Sequence, residues 1–556
     1  MGQSLGTRTE VLGTLVCLGP VHVGGWDTSA EANLTVARDG TGRPCLPGTS
    51  IAGALRAYLA GLDQFRRDDH GEKLMNALFG HIVPKGHGGS PSWIRVDDAH
   101  LIGDDVTPVT RDGVGIDRHS ASAAANFLYT RQVLPAGTRF ALRLVADTPT
   151  AAADPPYPGG WPALIHAAVR SMVAGLRQGR VPIGAGRGRG FGWVELRDTT
   201  ARHADLSDPA GLIAWLTGGA AATPREVGED TPQPDGRLGI TVAWRPIGPL
   251  LVRDSVSGTV VDTLPLTETA ADGTVRLLLP GSSIRGAVRA HAERIVRTLR
   301  GRNTPPDGDD ATGFEEMLRQ PPPGVDVLFG YAPAGTGQAG DGKGWRGALT
   351  VADCHSVGRI SAEAWNRIVT ISPKALDVPG AKDGRRKEER ERREERNTER
   401  DRTRSALRDQ LDAIGSSFTL GVSDHVAIDR WTGGASDHRL FSALDPSATV
   451  AWEPIRLEVD VARLDRHCRS DAASAALPLL LLVLRDLRDG WLSLGYGGTR
   501  GRGQIEVTDV TFDGAGLGGA WRSLTDRTLD AILADPPEDV IAAMTAWEDL
   551  FEEVAA

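Results

Sequence analysis

LPGTSIAGALR spans Leu46–Arg56, and LPGSSIRGAVR spans Leu279–Arg289. The second stretch restates the first, and four more landmarks repeat in the same order. LFG occurs at Leu78–Gly80 and at Leu328–Gly330. SWIRVDDAHL (Ser92–Leu101) matches GALTVADCHS (Gly347–Ser356), and VGIDRHSASAAAN (Val114–Asn126) matches VAIDRWTGGASDH (Val426–His438). IGAGRGRGFGWVEL (Ile183–Leu196) matches LGYGGTRGRGQIEV (Leu494–Val507). The gaps agree as well: 67 residues from Asp117 to Gly184 (184 − 117) and 66 from Asp429 to Gly495 (495 − 429). Ordered matches at near-equal spacing mark a duplicated domain. Only the middle of the second copy is expanded, by a run rich in Arg and Glu between Pro280 and Asp429.

Each copy carries the same pattern of elements. VLGTLVCL (Val11–Leu18) and RLGITVAW (Arg237–Trp244) read as first strands. After each LPG a helix begins, with Ser50 and Ser283 as expected N-caps. RFALRLVAD (Arg139–Asp147) and PIRLEVD (Pro454–Asp460) alternate apolar and polar residues, as half-buried strands do. A second helix, the Gly-rich loop and a last strand follow. The fold class expected is α+β, with two tandem ferredoxin-like (RRM-like) domains. The first occupies 1–200 and the second 236–513. A linker rich in Gly, Ala, Pro and acid lies at 201–235, and a charged insertion lies at about 357–420. The segment 514–556 reads as an acidic helical tail with Leu529, Ile532 and Leu533 on one stripe.

Composition narrows the function. The 556 residues include 62 Lys+Arg and 72 Asp+Glu, for a net charge of −10. That balance argues against a DNA-coating protein but leaves room for a local basic groove. The longest apolar run, Ala475–Leu484, is half of what a membrane span needs. No secretory signal is expected at the N-terminus, and four cysteines suit a reducing compartment, so a cytoplasmic protein is expected. Cys354-His355 and His467-Cys468 are adjacent pairs without the spacing of a zinc site.

The candidate sites are basic and Gly-rich. A tight turn opening a helix offers free N–H groups to a phosphate, and Gly48, Thr49, Ser50, Gly281, Ser282 and Ser283 form two such turns. Arg56, Arg285 and Arg289 follow within two helical turns. The Gly-rich loops carry Arg187 and Arg189, and Arg500 and Arg502. Their glycines follow a helix and precede a strand, which excludes a dinucleotide fingerprint. What remains is a flexible backbone whose arginines grip phosphate in a fork. Arg118 and Arg430 follow the repeated Asp117 and Asp429. For each site a structural reading stands beside the functional one: a packed corner, a tight loop, a local ion pair.

These landmarks together resemble the RAMP superfamily of CRISPR-associated proteins. The closest likeness is to the backbone subunit of type III RNA-guided effector complexes, here as two such domains fused head to tail. The resemblance covers about Val11–Leu196 and Arg237–Val510. It implies partners: a guide (CRISPR) RNA, complementary single-stranded target RNA and other effector subunits, with no membrane. It implies a thumb-like hairpin in the stretches ending at Asp117 and Asp429. It also implies target cleavage, dependent on a divalent metal such as Mg²⁺, by an acidic residue in the loop between the first strand and the PG-S-S helix. Aligning Gly19-Pro20 with Gly248-Pro249 takes Asn33 to Asp262. Asp262 is then the expected catalytic residue and metal ligand, and Asn33, which cannot carry the charge, leaves the first copy silent. Glu31 substitutes if the register slips by two, and Asp254, Asp27 and Asp39 share the same loops. Two alternatives remain: a non-catalytic scaffold of the same complex, or a repeat-processing endoribonuclease using Tyr496.

Overall fold

The computed structural model describes residues 5–26, 32–65, 70–82, 89–118, 120–149, 160–218, 225–226, 236–255, 260–270, 272–301, 318–319, 321–331, 344–371, 386–415, 419–464 and 474–555. The first copy runs β1 (Leu5–Cys17), α1 (Gly48–Leu59), β2 (Ile94–Val96), β3 (Val109–Ile116), β4 (Ala123–Val133), β5 (Arg139–Pro149), α2 (Gly160–Arg177) and β6 (Val194–Asp205). Its sheet has the order β6-β1-β5-β2, all antiparallel. The second copy runs β7 (Arg237–Pro246), β8 (Thr274–Leu279), α3 (Gly281–Leu299), β9 (Leu349–Val351), α4 (Ala362–Val369), α5 (Arg386–Ala413), β10 (Leu420–Ile428), β11 (Ala435–Pro446), β12 (Ile455–Asp460), α6 (Ala476–Arg488) and β13 (Ile505–Gly514). Its sheet order is β13-β7-β12-β9. With the framework strands of each copy numbered one to four, both orders read 4-1-3-2, the ferredoxin-like arrangement.

Period-two patterning fixes the sheets. In β7, Leu238, Ile240 and Val242 alternate inward and are almost fully buried. The helices cover one sheet face in each copy, and the two copies have separate cores. The longest apolar run forms α6. It is buried on nearly every side because the C-terminal helix α7 (Glu538–Ala555) packs across it. Among the described residues no helix is long and apolar enough to cross a membrane. In the tail, Leu529 and Ile532 are buried in the second core, whereas Leu533 is largely exposed.

Each copy inserts a β-hairpin between framework strands two and three. β3 pairs with β4, and β10 pairs with β11. Asp117 and Asp429 close the two tips, accepting from Ser120 N (2.7 Å) and Trp431 N (2.7 Å). The expanded segment before β10 supplies α4 and α5. The C-terminal part of α5 is seated through Thr403, Leu407 and Leu411.

Two expectations are corrected. Ser50 and Ser283 do not cap the LPG helices. The N-cap positions fall on Pro47 and Pro280, with no side-chain bond of their own, so both serines lie inside the first turn. The elements of the first copy also run past residue 200, while most of the Gly- and Pro-rich run after Gly218 lies outside the described residues. β6 runs on to Asp205, and a helix at Pro209–Thr217 follows, with Pro209 at its first position and Asp208 capping it through Gly211 N.

Candidate nucleic-acid interface

Both LPG turns are held by a carboxylate from the opposite end of framework strand two. Asp98 Oδ1 accepts from Gly48 N at 2.7 Å, and Asp353 Oδ1 accepts from Gly281 N at 2.7 Å. The backbone leaves no room for a side chain there. A Cβ on Gly48 would sit 2.2 Å from Val96 O, and one on Gly281 would sit 2.3 Å from Val351 O. One N–H of each expected phosphate cradle is therefore already spent. Thr49 and Ser282 are exposed, while Ser50 and Ser283 are half-buried. The sequence reading missed Asp98 and Asp353, although Asp-x-His recurs within the third landmark.

The first copy's hairpin and Gly-rich loop lie on the second copy. Arg111, on β3, is buried between Asp353 (2.5 Å) and Glu268 (2.6 Å). Glu268 also receives His355 Nε2 at 2.5 Å. Burial opposes its charge, yet the hydrogen bond from His355 and the attraction of Arg111 win, holding the Glu268 carboxyl at about 2. At the tip, Arg118 reaches Glu293 of α3 at 3.1 Å, and Glu293 also pairs with Arg289 at 2.8 Å. Gly190 passes so close that a Cβ there would lie 2.9 Å from Asp353 Oδ1.

The expected RNA-binding arginines divide into two groups. Arg56 donates to Asn76 Oδ1 at 2.6 Å. Arg285 donates to Leu349 O and Phe329 O. Burial, with Arg289 and Arg189 nearby, lowers its guanidinium to about 9. Arg502 is buried and grips both oxygens of Asp445, at 2.7 and 2.6 Å, bracing β11. Arg187 Nε donates to Gly184 O at 2.9 Å. By contrast Arg189, Arg430 and Arg500 are exposed. Arg189 donates to Tyr129 Oη, and Arg500 lies over the Tyr496 and Phe441 rings. Side chains of this kind, an aromatic face beside a cation, suit stacked bases and phosphates. Both hairpins add an exposed apolar face: Val114 opposite Leu128, and Val426 opposite Leu440, with Trp431 at the second tip 95% exposed.

Asp262 and Asn33 occupy the same place. Ser442 N and Oγ donate to Asp262 Oδ2 at 2.7 and 3.0 Å, and Asp262 N donates to Ser442 Oγ at 3.2 Å. Thr130 N and Oγ1 donate to Asn33 Oδ1 at 2.8 and 2.9 Å, and Asn33 N donates to Thr130 Oγ1 at 2.9 Å. Each side chain ties its loop to the second strand of its own hairpin. Both residues are exposed. Asp254 is half-buried, its N–H on Leu264 O. Glu31 and Asp27 lie outside the described residues, as do His467 and Cys468. Asp39 turns inward on Thr41 and Arg43, which hold it at about 2.

Among the described residues no group of three His, Cys, Asp or Glu can hold a metal. Asp262 offers one exposed carboxylate with one oxygen tied to Ser442. That donor set fits Mg²⁺ in its usual mode, one or two carboxylates completed by substrate phosphate, and not a cage built from protein alone.

The model of the RAMP superfamily matches residues 14–195 and 247–506. These are the two copies. The chain belongs to the RAMP superfamily. No curated protein matches it. RAMP proteins are CRISPR-associated RNA-binding subunits, some of them ribonucleases, and the two matched regions make this chain a tandem member. Exposed Arg189 and Arg500 beside aromatic rings on a net acidic chain agree with that class, since RNA is met by local groups and not by the whole charge.

Proposed function

We propose that this RAMP protein is a guide-RNA-binding backbone subunit of a type III effector complex in the cytoplasm. In this reading it cuts complementary single-stranded RNA at Asp262 of the second copy, and the first copy is silent. One observation carries the reading. Asp262 and Asn33 share a place and a hydrogen-bond pattern, so the copies differ there by a carboxylate against an amide.

The roles follow from the chemistry. The exposed arginines, Arg189, Arg430 and Arg500, meet RNA phosphates. The apolar hairpin faces meet bases unstacked from the guide–target duplex, which the protein reads by shape and backbone. Ser442 fixes Asp262 to the base of the second hairpin, so the carboxylate sits where that hairpin would open the duplex. Its remaining oxygen can accept a proton from a 2′-hydroxyl or a water. A bound Mg²⁺ would sit on Asp262 and supply charge compensation at the phosphate.

The test uses the assembled complex with guide RNA, Mg²⁺ and labelled complementary RNA. Asp262→Asn should lose one cleavage product, by about 10²–10⁴ in rate, with target affinity unchanged. Asn33→Asp should add a product one repeat away. Chelation should abolish both. A scaffold reading has its own support, because the bonds to Ser442 also serve a purely structural clamp. Target binding without cleavage by wild type would decide for it, whereas full cleavage by Asp262→Asn would move the activity to Glu31 or to a partner subunit.

A further inference from the structure

A cavity of about 110 Å³ opens on the seam between the two copies. Its walls come from α1, from the first Gly-rich loop and from the strands of the second sheet. Five arginines line it, Arg180, Arg187, Arg237, Arg346 and Arg463, against two acids, Glu458 and Asp460. The acids are spent on other groups. Glu458 takes Arg180 at 2.9 Å and Arg237 at 2.8 Å. Asp460 takes Arg463 N at 2.9 Å and stands 3.8 Å from Arg346.

Arg187 gains no carboxylate among the described residues. Among these its hydrogen bond runs from Nε to Gly184 O at 2.9 Å. Burial and the like charge of Arg346 bring its guanidinium down to about 10, still cationic at neutral pH. Trp193 stands in the same wall, and its buried Nε1 has no acceptor among the described residues. A buried indole N–H without an acceptor is costly, and a guanidinium that lines a cavity without a carboxylate is open to an anionic partner. These donors are not required by the fold. In the matched loop of the second copy, Gly498 replaces Arg187 and Gln504 replaces Trp193 (311 residues on).

We infer that the seam cavity is an oxyanion site that binds a phosphate group between the two copies. Guanidinium and indole groups only donate, so the ligand must be rich in acceptors and negative, as phosphate is. The group comes either from the backbone of bound RNA or from a free phosphate compound. The inference is independent of cleavage at Asp262, and neither result below bears on that residue.

The experiment is calorimetric titration of the full RNA-free chain with inorganic phosphate at constant ionic strength. Wild type should bind at one site. Arg187→Gln should bind roughly tenfold to a hundredfold more weakly. Trp193→Phe, which keeps the ring and removes only the N–H, should also weaken it, and unliganded melting curves show that both variants are folded. Arg245→Gln, which loses only an exposed pair with Glu506, should match wild type. Repeating the titration on guide-loaded chain assigns the source. Loss of phosphate binding there means that an RNA phosphate fills the cavity, and retained binding means a free anion does. No phosphate binding by RNA-free wild type, or equal affinity in wild type, Arg187→Gln and Trp193→Phe, overturns the inference.

Discussion

Asp353 does two jobs with one carboxylate. Oδ1 caps α3 through Gly281 N, and Oδ2 holds Arg111 of the first hairpin. Its counterpart Asp98 makes only the first bond among the described residues, and Ser423, which stands where the first hairpin carries Arg111 (111 + 312), bonds Asp445 within its own copy. The two positions should therefore respond differently. Asp98→Ala loses a helix cap, worth about 0.5–2 kcal/mol. Asp353→Ala also takes one of two carboxylates from buried Arg111, which keeps Glu268, and a lost charged hydrogen bond adds about 1.5–3 kcal/mol. Urea unfolding should show the larger loss at Asp353, and equal losses would remove Arg111 from the account. The sequence displayed both aspartates as part of a repeat. It did not display their role, since each caps a helix that begins far upstream in the chain, at a distance no local spacing encodes.

At the scale of elements, the strands and helices were legible because each repeats a period. β7 alternates, α6 is apolar all round, and turns fall at Gly and Asp. The hairpins were legible only as the stretches ending at Asp117 and Asp429. Their faces were not, because alternation that points apolar side chains into water looks the same as alternation that points them into a core. The register resolves it: Val426 and Leu440 oppose each other and are 45% and 53% exposed. Replacing both by Thr should leave stability within about 0.5 kcal/mol, since exposed positions rarely matter more. It should weaken target RNA binding, as stacking on a side chain contributes about 1–3 kcal/mol per base. Melting curves and RNA titrations on the same protein separate the two effects. Unchanged RNA affinity would leave the exposed face without a nucleic-acid role.

At the scale of the whole molecule, duplication was legible and the joint between the copies was not. The joint pairs Arg111 with Glu268, Arg118 with Glu293 and Arg180 with Glu458, residues 157, 175 and 278 positions apart. Such pairs have no period. They also differ from copy to copy, so the repeat itself conceals them. This joint should depend on pH in a definite direction. Glu268 lies at about 2, below its unfolded value, so its contribution is complete above about pH 4.5 and is lost as pH falls toward 2. His355 is raised: burial disfavours its charge, but hydrogen bonds to Glu268 and Glu453 outweigh burial and the nearby Arg276. Its contribution is complete below about pH 6.5 and is lost as pH rises through the folded value. The pair is therefore strongest on the acid side of neutrality. The stability advantage of wild type over His355→Gln should be full near about pH 5.5 and should shrink by about pH 9, as the imidazolium is lost. His100, the matched residue of the first copy, is 63% exposed beside Asp39 at 3.2 Å, so His100→Gln should cost little stability. Thermal melts of the three proteins across that range measure it. An advantage that grows with pH would mean that His355 is neutral in the fold, and that Arg111 and Arg276 keep Glu268 ionised without it.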